Sequence, residues 1–253
     1  MIEELGETVT LGDGRWTLTE TLRGGPDRGM FRGTGDVPVL VTLGAPQRRS
    51  HVEVARQLAY VVPGVAPLLS IEAVTIERVR YDALVEREPE GAPVTVDRPL
   101  DVRAVAHGLV EIVAHAHAAG QVLGGLRPEL VYAQGATCTG IAPRAEVFLA
   151  GASERSYGVP PCFDEVYLSP EAISLAPLTL ASDVFSLCAT LVFILEGAPP
   201  FAGDSLLERI AAALRGTTRP LSVPSVIAAG LATDPTHRPD VVAVRAALSP
   251  LAC

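Results

Sequence analysis

The sequence predicts an α+β chain in which a small β-rich part, residues 1–88, precedes a larger helical part, residues 89–253. Two observations carry that expectation. Short runs of β-branched and apolar residues bounded by Gly, Asp and Pro recur through the first third, and from Val105 onward the apolar residues adopt helical spacing. With 48% of 253 residues hydrophobic, the chain has material for a sizeable core.

Strands are expected over 16–22 and 37–43, and a hairpin over 68–75 and 80–86. Between these pairs Val52, Ala55, Leu58 and Ala59 recur at helical spacing, predicting one helix that ends near Pro63-Gly64. The character changes after Glu88-Pro89-Glu90-Gly91. Val105, Leu109, Ile112, Val113 and Ala116 mark one face of a helix closed by Gly120, and further helices are expected over 181–195, 204–215, 223–231 and 238–248. Short β segments are expected at 130–132 and 147–149. No internal repeat is visible.

Composition excludes several classes. A formal charge of −9 argues against non-specific binding to nucleic acid or anionic membrane, both of which need a basic surface. The longest apolar stretch, 187–195, stops at Glu196-Gly197, short of the roughly 20 residues that span a bilayer. Glu3 and Glu4 do not resemble the start of a signal peptide, so a cytoplasmic protein is expected. Cys138, Cys162, Cys188 and Cys253 form no C-x-x-C pair. His107, His115 and His117 lie 8 and 10 apart, not the i, i+4 of a helical metal site, so no metal is expected. The chain also contains no lysine and no asparagine.

Four segments in order resemble the serine/threonine protein kinase family: Tyr167-Leu168-Ser169-Pro170-Glu171, Ser182-Asp183-Val184-Phe185-Ser186-Leu187, Gly197-Ala198-Pro199-Pro200-Phe201, and Asp234-Pro235 through Arg238-Pro239. The resemblance implies a protein kinase-like two-lobed fold, with 1–88 as the β-rich N-lobe and 89–253 as the helical C-lobe. It also implies an internal ion pair between Glu171 and Arg238, and backbone hydrogen bonds accepted by Asp183 beneath the catalytic loop.

Residues 120–130 resemble that loop, which in the family reads H-R-D-L-K-P-E-N. Leu126, Pro128 and Glu129 fit, and Arg127 stands for the lysine. Leu123 and Gly124 replace His and Arg, Gly125 replaces the catalytic Asp, and Leu130 replaces the magnesium-binding Asn. Where the family has D-F-G the chain reads Leu149-Ala150-Gly151, aligning Gly151 with the metal-binding Asp. Residues 22–33 resemble a degraded Gly-rich loop in which Arg23 and Arg28 take two glycine positions. Thr42 stands at the phosphate-binding lysine, and Glu53 near the position of its partner. Met30, Leu40 and Tyr132 are implied to fill the adenine slot.

A positioned base is worth ~10²–10⁴ in rate and one preorganised electrostatic contact ~10²–10³. The resemblance therefore implies a pseudokinase with no catalytic residue and no cofactor. Its role would be that of a scaffold or allosteric regulator bound to a protein partner, such as an active kinase. The alternative is a kinase-fold enzyme or nucleotide sensor using unusual ligands such as Glu146 or Glu154. Ser153, Ser156 and Tyr157 are candidate phosphorylation sites in a shortened activation segment.

Overall fold

The computed structural model describes all residues except 1–8, 12–13, 26–27, 47–49, 77, 145–147, 149–164, 175 and 250–253. The chain is mixed α and β, with one six-stranded antiparallel sheet, one three-stranded sheet and, among the described residues, seven α-helices. It divides into two compact units. One comprises residues 9–61 and 66–88 with Arg144 and Phe148; the other comprises 62–65, 89–143 and 165–249.

In the first unit the strands are β1 (Thr10–Leu11), β2 (Trp16–Gly25), β3 (Arg28–Gly35), β4 (Val39–Gly44), β5 (Leu68–Ile76) and β6 (Val79–Arg87), ordered β1-β2-β3-β4-β6-β5. The expected strand at 16–22 continues to Gly25 and pairs with β3, which its three glycines hide from a pattern search. Central β4 reads Val-Leu-Val-Thr-Leu-Gly and is buried at every position, as a strand covered on both faces must be. Trp16, Leu18, Phe31, Val41, Tyr81 and Val85 belong to a core drawn from across the sheet on one face. On the other face Leu84 packs with Phe148 and with Val54 and Leu58 of helix α1 (His51–Leu58). The inward pair of α1 is thus Val54 and Leu58, four apart, whereas Val52 of the expected stripe is exposed. Two turns of helix can present only one such i, i+4 pair to a sheet.

The second unit contains β7 (Ala92–Pro93), β8 (Val131–Gln134), β9 (Thr137–Ile141) and helices α2 (Val102–Ala118), α3 (Pro170–Ile173), α4 (Leu180–Glu196), α5 (Leu206–Arg215), α6 (Ser225–Ala229) and α7 (Val241–Leu248). Helix α4 is buried nearly all round, from Ser182 through Val192, which marks a central helix rather than a surface one. Helices start where side-chain oxygens can accept the first free amides: Asp101, Thr179, Ser205 and Asp240 each cap one. The last helix therefore begins at Val241, since Arg238-Pro239 cannot continue backward from the Asp240 cap. The strand paired with β8 is Thr137–Ile141, not the expected 147–149. Phe148 is helical, and its neighbours lie outside the described residues.

Candidate functional site

The segment that resembles a catalytic loop follows α2. The helix ends at Ala118, Gly120 turns the chain at φ +68°, and Gly124 and Gly125 have φ of +89° and +149°. Those two values suit glycine and strain any other residue. The reason for the path is Asp183, in the first turn of α4. Its Oδ2 accepts the Leu123 N–H at 2.7 Å, its Oδ1 accepts the Gly124 N–H at 2.9 Å, and His117 Nε2 lies 3.2 Å from Oδ2. A buried carboxylate is tolerated when donors surround it, and the α4 N-terminus adds a favourable dipole.

Behind this clamp Leu123, Leu126 and Leu130 are fully buried, and Arg127 is buried with them. Gly125 has no side chain, and Leu130 offers only hydrocarbon. The loop thus carries no group that could take up a proton or ligate a metal at the positions the resemblance assigns to that work. Glu129, on the 3₁₀ turn Pro128–Leu130, is partly exposed.

Arg238 and Glu171 meet a few residues away. Arg238 Nη1 and Nη2 donate to Glu171 Oε1 and Oε2 at 2.6 and 2.8 Å, and the same guanidinium donates to the carbonyls of Ala232, Ala181 and Thr233 at 2.8, 2.9 and 3.1 Å. It also lies 5.1 Å above the Phe185 ring. Ser182 Oγ donates to Glu171 at 2.8 Å. Partial burial pushes the Glu171 carboxyl up, but the hydrogen bonds from Arg238, its own backbone amide and Ser182, with the Arg238 charge, outweigh it and hold the pKa at about 2. A hollow of about 260 Å³ lies beside this pair. His117, Leu180, Val184, Arg238, Pro239 and Val241 contribute to its mainly apolar wall.

In the first unit Thr42 is buried in β4, opposite Met30 of β3 and Leu84 of β6. Leu40, two residues earlier, shares that face and is also buried. Tyr132 is buried in β8 of the second unit, paired with Pro93 and Gly140. Gly151, Glu146, Glu154, Ser153, Ser156 and Tyr157 lie outside the described residues. Glu53 forms a capping box: Ser50 N–H donates to its carboxylate at 3.0 Å while its own N–H donates to Ser50 Oγ at 3.3 Å. The Ser-x-x-Glu spacing was the available signal.

Two ion pairs on this face escape sequence reading. His51 Nε2, in the first turn of α1, lies 2.9 Å from Asp82 Oδ1 of β6. Arg144, wholly buried, donates from Nη1 to Glu86 Oε1 at 2.9 Å and to the Ala66 carbonyl, from Nε to the Leu58 carbonyl at 2.7 Å, and from Nη2 to the Tyr60 carbonyl at 2.7 Å. Its guanidinium also stacks 4.2 Å from the Tyr60 ring. Helix α1 is thus strapped to β6 at both ends, by His51 directly and by Arg144 through the Leu58 carbonyl. Burial pushes the Glu86 carboxyl up to about 7 against the downward pull of Arg144. Burial likewise pushes the Cys138 and Cys188 thiols up to about 12, so neither is a ready thiolate at neutral pH.

Among the described residues no group of three or more His, Cys, Asp or Glu is placed to hold a metal ion, and no helix is long and apolar enough to cross a membrane. The chain matches no family model and no curated protein.

Proposed function

We propose that the chain is a degenerate member of the protein kinase-like class, two-lobed, that works by binding another protein rather than by phosphoryl transfer. The supporting observation is the Asp183 clamp. A buried carboxylate holds the amides of Leu123 and Gly124, so the loop keeps its support while the next position, Gly125, lacks the base that the resemblance expects. Phosphoryl transfer depends on positioned cations and a base to orient the nucleophile. Thr42 and Leu130, buried and without charge, supply neither. Met30 and Leu40 serve in this reading as side chains that fill space a nucleotide would otherwise take, and Tyr132 is the third residue to which the resemblance gives that role. The partner is a protein, with an active kinase as the first candidate.

A thermal-shift titration with ATP and ADP, with and without magnesium or manganese, tests the reading. Ligand at ~100 times its dissociation constant adds ~2.7 kcal/mol of stability to a protein that binds it. The expected result is no shift. A metal-dependent shift overturns the filled slot and returns the enzymatic reading; a metal-independent one points to a nucleotide sensor.

A further inference from the structure

We propose that the outer edge of β5 is a self-association surface, at which a second copy of this chain pairs its own β5 antiparallel to the first. This inference does not depend on the kinase-like reading. β5 closes the order β1-β2-β3-β4-β6-β5, so it bonds β6 on one side, and among the described residues no strand lies along the other. Alternate residues of a strand turn their N–H and C=O to each side. An open row of such groups pairs with another chain unless something prevents it.

The two edges of the sheet differ in that protection. At the far edge β1 is only two residues long. Where β2 runs beyond it, the register with β3 breaks between Leu18 and Glu20 and again between Thr21 and Arg23. Bulges and charges of this kind deter pairing. β5 has one irregularity, at its start, between Leu68 and Ser70. From Ser70 to Ile76 its register with β6 is unbroken, through Ser-Ile-Glu-Ala-Val-Thr-Ile. That stretch has no proline, no basic residue and a single charge, Glu72. Helix α1 packs on one face of β5, which leaves the edge rather than a face as the open feature.

The strand suits a copy of itself. Centred on Ala73, antiparallel self-pairing sets Ile71 opposite Thr75, Glu72 opposite Val74 and Ser70 opposite Ile76. A Glu72-centred register would set two carboxylates directly opposite each other, which is destabilising; the Ala73 register moves them to the diagonal. Ala73 and Thr75 are both exposed. Every contact is returned by the two-fold, so the assembly closes as a dimer. With a formal charge of −9 per chain, a narrow edge contact also brings less like charge together than a broad face. Such an edge falls below the ~1,200 Å² of a standard interface, so the dimer is weak and concentration-dependent.

Sedimentation velocity on the full chain from about 5 to about 500 µM tests this, spanning the range for weak interfaces. The wild type should move from monomer toward dimer, and Ala73→Lys/Thr75→Lys should stay monomeric at the highest concentration. Leu207→Lys, which changes the most exposed apolar residue of α5 (77% exposed), should behave as wild type. Under mild oxidation Ala73→Cys should cross-link above the wild-type level and Thr75→Cys should not, because only residue 73 faces its own copy at disulfide distance. A wild type that stays monomeric throughout overturns the proposal. So does a dimer indifferent to the lysines, one abolished by Leu207→Lys, or cross-linking at 75 rather than 73.

Discussion

Replacing Arg144 with methionine keeps most of the side-chain volume and removes the guanidinium. The change leaves Glu86, itself fully buried, without its ion-pair partner, and strips a hydrogen bond from the carbonyls of Leu58, Tyr60 and Ala66. Breaking a buried ion pair by removing one partner costs ~3–5 kcal/mol; orphaning buried carbonyls costs ~1–3 kcal/mol each before relaxation. The two terms overlap, and they separate by pH. Glu86 has its folded pKa raised from 4.5 to about 7, so its protonated form is favoured by folding. Its contribution is therefore fully present below pH 4.5 and is lost as pH rises through 7. Without Arg144 the folded pKa moves higher still. At pH 5 Glu86 in the variant is neutral, and the loss reduces to the hydrogen bonds of three carbonyls, about 3 kcal/mol at ~1 kcal/mol each after relaxation; at pH 8 the stranded Glu86 charge enlarges it, toward or beyond the upper end of the ~3–5 kcal/mol typical of a broken buried pair. Urea denaturation followed by Trp16 fluorescence measures this directly, because Trp16 is the single tryptophan and lies in the core of the same unit. A loss that is equal at pH 5 and pH 8, or smaller than about 1 kcal/mol at both, refutes the account of Arg144 as a buried partner of Glu86.

Asp183→Ala should release the Leu123 and Gly124 amides, cost about 3 kcal/mol and raise hydrogen exchange at those two positions well above that of α2. Gly230→Ala drives a methyl into Cys188 Sγ and to 2.9 Å from its Cβ; it should destabilise by about 1–3 kcal/mol, with part of the loss recovered in Gly230→Ala/Cys188→Ala, which removes the nearer clashing atom and keeps a good helix former in α4, read by thermal melting. Glu171 has its folded pKa lowered from 4.5 to about 2, so its contribution is present above pH 4.5 and lost as pH falls through 2. Glu171→Gln should lower the melting temperature at pH 7 and flatten its fall between pH 4.5 and pH 2. Gly125→Asp, which supplies the acid that the resemblance expects there, should lower stability by roughly 1–3 kcal/mol, because the residue sits at φ +149°, and should confer no ATP turnover in a coupled assay.

Local chemistry made some of this structure legible in the sequence. Ser205-x-x-Glu208 is a capping box by its letters alone, and its two reciprocal bonds set the start of α5. Glu171 and Arg238 stand 67 residues apart, yet each belongs to a short motif, and their side chains meet. The Asp183 clamp could be anticipated in the same way. Arg144 could not, because an arginine between Pro143 and Ala145 reads as a solvated charge, and its burial follows from partners up to 86 residues away. His51 and Asp82 are also joined only by the packing of α1 on β6. β3 and β9 escape a sequence pattern for a different reason. Glycine and small residues dilute the alternation that marks a strand, and their pairing comes from the adjoining hairpin.

The strap through Arg144 also governs when the first unit can be finished during synthesis. A ribosome that has released residue 88 has delivered all six strands of the sheet and α1, but neither the guanidinium that closes over the Leu58 and Tyr60 carbonyls nor Phe148, which fills the core between α1 and Leu84. Until more than fifty further residues emerge, Glu86 waits without its partner and the underside of α1 is open to water. A gene fragment cut after Glu88 stops at the same unfinished stage. The nascent sheet thus keeps that apolar surface open to water until translation passes Phe148, and any permutation of the chain that delivers residues 144–148 earlier shortens that interval.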